Sequence, residues 1–308
     1  MLQFDDLRLR VGGTPILRGV TLEVAAGEAV GLVGESGSGK SMTVKSVVRL
    51  LPPGSRTEGA VRFDGVDVSS LDAAGLRRMR SRDVAMVFQD PRAVVNPVRT
   101  IGDFLTEVLR DQGVGRTEAT RRAARALSEV GIGDAVRRLH QRPYELSGGL
   151  LQRVVIAAAL LTGPRLILAD EPTTALDVTT QEEVVAILNE QRAARQVALM
   201  FITHDLELAA AVCDRIAVMY AGEIVEVLPA AALHAGARHP YTRALLNSRP
   251  GAVAPGERLR TVPGVPQSAL TAPPGCVFAD RCPHAEARCR EVRPVFDGSA
   301  ACHLLEAR

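Results

Sequence analysis

The sequence predicts an α/β fold with a helical insert and a small Cys-rich C-terminal extension. Three observations carry this. Short β-rich runs punctuate the first 90 residues, helical periodicity takes over from 103 to 140, and strand and helix signals then alternate to about residue 227. LRLRV (7–11) and TLEV (21–24) alternate in the manner of half-buried strands. AVGLVG (29–34) is a continuous apolar run of the kind buried in a parallel sheet. SMTVKSVVRLL (41–51) reads as a helix stopped at Pro52-Pro53-Gly54, and VRFDG (61–65) and VAMVFQ (84–89) read as further strands. The Arg-, Ala- and Glu-rich stretch that follows is a helical subdomain at about 92–146. LSGGLLQRVVIAAALL (146–161) and the segment around QEEVVAILNEQRAA are helices, and LILAD (166–170) and ALMFITHD (198–205) are buried strands. IAVMYAGEIVEV (216–227) is a hairpin about Ala221-Gly222. Composition shifts past residue 231, and Pro-Gly punctuation runs from Pro250 to Gly275, so the expected domains are 1–230 and 231–308.

A chain of 308 residues with 46% hydrophobic and 23% charged side chains has the composition of a globular protein with a sizeable core. Its 37 basic and 35 acidic residues leave a formal charge of +2, which gives no bulk electrostatic case for a nucleic-acid partner. MLQFDDLRLR has acids where a signal peptide needs a basic and then an apolar run. The most apolar stretch, Val154 to Gly163, is far shorter than the ~20 residues that span a bilayer. The expected compartment is therefore the reducing cytosol, which argues against disulfides.

Gly34-Glu35-Ser36-Gly37-Ser38-Gly39-Lys40-Ser41 matches G-x-x-x-x-G-K-[ST] between a predicted strand and a predicted helix. Glycines let such a loop wrap phosphates, so that backbone N–H groups and a helix N-terminus face the anion. Lys40 would reach the terminal phosphates of ATP, and the Ser41 hydroxyl would bind Mg²⁺. LILAD supplies the complementary acid: Asp170 would hold Mg²⁺ directly or through water, and adjacent Glu171 would polarise an attacking water. Ser147-Gly148-Gly149 opens another helix and makes a second phosphate-binding terminus. Two anion sites for one nucleotide make sense if the second serves another molecule's ATP.

The phosphate loop, the LSGG helix and the DEP turn, in this order and spacing, resemble the nucleotide-binding domain of an ATP-binding cassette (ABC) transporter, a P-loop NTPase. The resemblance implies further roles. Gln89 matches the Q-loop, which touches Mg²⁺ and the attacking water. Thr174-Ala175-Leu176-Asp177 matches the D-loop at the seam of a cassette dimer, and His204 matches the switch histidine at the γ-phosphate. Two cassettes would clamp ATP head to tail, between Gly34–Ser41 of one and Ser147–Gly149 of the other. Phe88-Gln89-Asp90-Pro91 with Asn96-Pro97, and His239-Pro240-Tyr241-Thr242 with the Cys-rich end, resemble dipeptide, oligopeptide and nickel importer ATPases. That implies two transmembrane permease subunits, whose helix would dock near Arg92–Pro97, and a second ABC ATPase in a heterodimer. It also implies an extracytoplasmic substrate-binding protein and a place on the cytoplasmic face of the membrane. Leu150 stands where many cassettes have Gln, an apolar choice common in this subfamily. Val11 stands where the family usually stacks adenine on an aromatic, which implies relaxed base selectivity. The rival readings are a nickel or metal-complex importer, an exporter cassette, and a soluble cassette protein of repair or translation. The last usually has two cassettes or long coiled-coil inserts, and this chain has neither.

Four of the five cysteines, Cys276, Cys282, Cys289 and Cys302, follow C-x5-C-x6-C-x12-C near the end. Thiolates in a cytosolic protein suggest Zn²⁺ or an iron–sulfur cluster, and the spacing alone leaves the two undecided. His284 and His303 flank two of them. The resemblance to peptide-importer ATPases implies a 4Fe-4S cluster, with the structural role of tying down a segment that has little aromatic core.

Overall fold

The computed structural model describes residues 1–174, 176–249 and 261–305. Ala175 of the D-loop motif, Pro250–Arg260 of the Pro-Gly stretch and the last three residues lie outside the described residues. Among the described residues, ten strands run in chain order: β1 Leu2–Val11, β2 Thr14–Val24, β3 Ala29–Val33, β4 Ser55–Phe63, β5 Val66–Asp67, β6 Val84–Val87, β7 Leu166–Asp170, β8 Ala198–Thr203, β9 Arg215–Tyr220 and β10 Glu223–Pro229. The chain forms two compact units: Met1–Ala25, Ala29–Ser70 and Phe201–Arg308 in one, Ala26–Glu28 and Leu71–Met200 in the other.

In the first unit, β2-β1-β4-β5 is an antiparallel sheet. β1 buries Leu2 and Phe4, then Leu7 and Leu9, so its period-two pattern slips by one residue. The slip falls where the pairing registers shift, beside Asp6 with φ 46°. The strand therefore starts at Leu2 rather than at residue 7, because the bulge absorbs the interruption FDD. β3 is buried throughout and pairs in parallel with β9, Val30 opposite Arg215 to Val33 opposite Val218. β9 and β10 form the expected hairpin, with φ 47° at Ala221 and 85° at Gly222.

The helix after the phosphate loop covers Lys40–Val47 and ends well short of Pro52. Arg49 adopts φ 51°, and the Leu50 and Arg49 amides donate to the carbonyls of Lys45 and Ser46. Left-handed closure of this type ends helices without proline.

Beyond β10 the chain folds back on the hairpin. The Val227 amide donates to the Ser299 carbonyl at 2.7 Å, and the Ala301 amide to that of Val225 at 2.9 Å. Buried Glu223 pairs with Arg18 of β2 and with Arg293 of the tail, each at 3.1 Å. The expectation of little aromatic core does not hold here. Tyr220 lies 4.6 Å from Tyr241 and 5.4 Å from Phe278 between ring centres, and Tyr241 lies 5.2 Å from Phe278. Aromatic pairs of this kind add ~0.5–1.5 kcal/mol each beyond their area burial. His239 caps the helix Pro240–Asn247, its Nδ1 accepting the Tyr241 amide at 3.1 Å.

In the second unit, β6 and β7 pair in parallel, Val84 opposite Leu166 to Val87 opposite Ala169. The helical insert holds Ile101–Asp111, Arg116–Glu129 and Ala135–Leu139. The first of these starts at a Thr100/Asp103 capping box and buries Ile101, Leu105 and Leu109 on one face. Gly148–Leu161 buries eight side chains, which explains its nearly unbroken apolar sequence.

Burial holds the pKa of His239 down to about 4, although its bond to the Ala301 backbone opposes this. Against an unfolded value of ~6.5, the unfolded chain takes up that proton first. The stability from neutral His239 is therefore complete above about pH 6.5 and is lost as pH falls toward 4. Thermal unfolding of the wild type should show this loss. His239→Asn keeps a capping acceptor, and should start less stable but lose less over the same window.

Candidate functional site

The phosphate loop is shaped by close packing in the first unit. Gly34 follows β3 so near β9 that a Cβ there would lie 2.1 Å from the Met219 carbonyl oxygen, and only glycine fits. The Gly222 amide donates to the Ser38 carbonyl at 2.9 Å and ties the loop to the β9–β10 turn. Lys40 is 5% exposed, and its Nζ donates to the carbonyls of Gly34 at 2.8 Å and Glu35 at 3.0 Å. Ser38 Oγ is buried with no hydrogen-bond partner. A desolvated ammonium and an unsatisfied hydroxyl in a loop at a helix N-terminus fit an anionic phosphate ligand. Ser41 is the second residue of the helix, and His204 is exposed one residue after β8.

Glu35 makes contacts that the motif reading does not anticipate. Its amide donates to Tyr241 Oη at 3.0 Å, and its carboxylate receives both Arg281 nitrogens, at 2.6 and 3.1 Å. Arg281 was invisible as a site residue, because no local pattern marks an arginine among the cysteines. Burial opposes its charge, but the bonds to Glu35 and Tyr220 prevail and raise its pKa.

The second unit gathers the other motifs. Asp170 is 4% exposed at the end of β7. Glu171 follows in the left-handed region at φ 46°, and its carboxylate accepts from Gln89 Nε2 at 3.3 Å and Thr174 Oγ1 at 2.9 Å. Ser147 caps the helix Gly148–Leu161 by accepting the Leu150 amide. Asp177 caps Val178–Arg195, accepting the Thr180 amide at 3.0 Å and the Thr180 hydroxyl at 2.8 Å. Those bonds hold the Asp177 pKa below the ordinary carboxylate value. A Cβ on Gly149 would lie 2.4 Å from Thr180 Cγ2. Thr180 therefore links the Ser147–Gly149 turn to the cap at Asp177. Sequence spacing placed those two features separately.

Cys276, Cys289 and Cys302 are buried and Cys282 is half-buried, and none of the four is in a disulfide. The Cys276 amide donates to the Cys289 carbonyl at 2.7 Å. Burial pushes the Cys276 thiol up to about 12, with the nearby charges of Cys302, Cys289 and Cys282 adding to the rise. Burial also raises Cys282. Among the described residues, no group of three or more His, Cys, Asp or Glu side chains stands in a geometry to hold a metal. The four cysteines thus do not stand as a ligand cage. Cys276 and Cys289 belong instead to the apolar core around Tyr241 and Phe278.

Comparison with known proteins joins the two sets of motifs. The profile described as "ABC transporter" matches residues 17–174. The chain belongs to the ABC transporter family. A second profile, "Oligopeptide/dipeptide transporter, C-terminal region", matches residues 225–289 of this ABC protein. It is 39% identical over 300 residues to the oligopeptide transport ATP-binding protein OppD of Salmonella typhimurium, covering 96% of this chain and 90% of that one. It is 42% identical over 287 residues to the dipeptide transport ATP-binding protein DppD of Bacillus subtilis, covering 92% and 86%. Among solved structures, it resembles the dimeric ATP-binding cassette MJ0796 in a post-hydrolysis state bound to ADP and Pi. The TM-score is 0.67 and the identity 29%, over 75% of this chain and 99% of that one. Among the described residues, no helix is long and apolar enough to cross a membrane.

The Gly149–Thr180 contact is open to a stability test. Gly149→Ala should destabilise the protein by ~1–3 kcal/mol in chemical denaturation through overpacking. Adding Thr180→Ser removes the clashing methyl and keeps the hydroxyl for Asp177, so the double variant should recover most of the loss.

Proposed function

We propose that this chain is the ATP-binding subunit of an ABC importer for dipeptides or oligopeptides, an ATPase coupled to transport. One observation carries the reading: a cassette and a peptide-transporter C-terminal region lie in one chain, with curated peptide-transport relatives aligned over most of both. The proposed partners are two transmembrane permeases, a second ABC ATPase and, indirectly, an extracytoplasmic substrate-binding protein. The proposed place is the cytoplasmic face of the membrane.

In this reading Gly34–Ser41 binds the ATP phosphates, and Lys40 neutralises charge developing on them. The hydroxyl of Ser41, the carboxylate of Asp170 and the amide oxygen of Gln89 are hard oxygen donors, suited to Mg²⁺. Bound Mg²⁺ would supply further charge neutralisation at the phosphates. Glu171 orients and activates the attacking water, and His204 contacts the γ-phosphate. Ser147, Gly148, Gly149 and Asp177 serve the ATP of a second cassette arranged head to tail. The pairing of Gln89 with Glu171 supports a shared task for these two side chains. Val11 in place of an aromatic base platform supports relaxed discrimination between ATP and GTP.

The four C-terminal cysteines are the proposed ligands of a soft metal centre, a 4Fe-4S cluster by family resemblance, with a structural role. Their soft thiol chemistry supports this.

Glu171→Gln should retain ATP binding and trap a closed cassette dimer, while turnover falls by ~10²–10⁴-fold, the range for loss of a general base. Wild-type hydrolysis in that variant would remove Glu171 from the role. Anaerobically purified protein should be brown, with about four irons per chain. Colourless protein with stoichiometric zinc would sink the cluster.

A further inference from the structure

Glu35 is the acidic residue of the phosphate loop, and it is gripped at three points. Its carbonyl accepts Lys40 Nζ, its amide donates to Tyr241 Oη, and its carboxylate receives the Arg281 guanidinium at two points. Lys40 belongs to the loop helix, whereas Tyr241 and Arg281 come from the C-terminal segment. Arg281 is itself fixed. Its Nε donates to the Pro263 carbonyl at 2.7 Å, Nη2 to that of Val262 at 3.3 Å, and Nη1 to Tyr220 Oη at 3.2 Å. The guanidinium carbon also lies 5.6 Å from the ring centre of Tyr220 and 5.9 Å from that of Phe278. The Arg281 side chain is 3% exposed, so the pair is drawn into the protein and not splayed on its surface.

We propose that Arg281 and Tyr241 are positioning residues of the nucleotide site, holding the phosphate loop in its phosphate-accepting shape before ATP arrives. This rests on the reading that Gly34–Ser41 binds ATP. The physical logic is preorganisation. Lys40 parks its ammonium on the Gly34 and Glu35 carbonyls and must leave them to reach a phosphate. A loop held by Lys40 alone would relax as the lysine left. Glu35 stays in place because its amide and carboxylate are tied to a separate segment. A bidentate guanidinium–carboxylate pair fixes direction as well as distance, which a lysine at the same place would not. The C-terminal region thus contributes to nucleotide affinity without touching the nucleotide.

The test uses the full-length chain and measures affinity for Mg-ATP, KM and kcat for hydrolysis, and thermal unfolding. The wild type is compared with Arg281→Gln, Arg281→Lys, Glu35→Gln, Tyr241→Phe and the Glu35→Gln/Arg281→Gln double variant. Arg281→Gln and Glu35→Gln should each weaken ATP binding about tenfold, and the double variant should be no worse than either, as expected of coupled partners. For Arg281→Gln the loss should appear in KM with kcat at saturation unchanged, and Arg281→Lys should recover part of it. Tyr241→Phe keeps the aromatic packing and should also raise KM, so it reads the loop even if Arg281→Gln fails to fold. Wild-type affinity in folded Arg281→Gln and Tyr241→Phe, or losses that multiply in the double variant, would overturn the proposal. A wild-type chain that does not bind Mg-ATP would overturn the underlying ATP reading instead.

Discussion

Lys40 keeps a full positive charge almost out of water on the carbonyls of Gly34 and Glu35, and much of the first unit serves that arrangement. Burying an ammonium is costly unless oxygen atoms replace its hydration. Beside them the loop packs at Gly34 directly against the Met219 carbonyl of β9. β9 is in turn braced by its parallel pairing with β3 and by the hairpin to β10. The hairpin turn then returns a hydrogen bond to Ser38. Sheet, turn and loop form a closed mechanical circuit around one charge.

The local shapes of the phosphate loop and the acidic turn were legible in the sequence because each is set within one loop and the element that flanks it. A glycine-rich turn before a helix, or an acid ending a dry strand, says nearly everything about its local shape. What stayed hidden depends on partners distant in the chain. Arg281 and Glu35 are 246 positions apart, and neither residue's neighbours announce the pairing. The aromatic core escaped notice for the same reason: Tyr220, Tyr241 and Phe278 come from three segments, each with a single ring to offer. Two local features were also misread. The phase slip at Asp6 hid the first half of β1, and the left-handed Arg49 ended a helix that proline was expected to stop.

The C-terminal segment is therefore more than an appendage held by cysteines. Its aromatic cluster, the Glu223 pairs with Arg18 and Arg293, and the backbone bonds to β10 each fasten it to the first unit. Cys276 and Cys289 occupy part of that same core, and Cys282 packs against it.

Glu171 holds a backbone conformation that L-residues other than Asn and Asp seldom adopt. Glu171→Gly would relieve ~1 kcal/mol of backbone strain, but it would give up the bonds from Gln89 and Thr174 and, on the proposed role, the carboxylate that activates water. On the proposed role, relief of the backbone at this position would come at the expense of turnover.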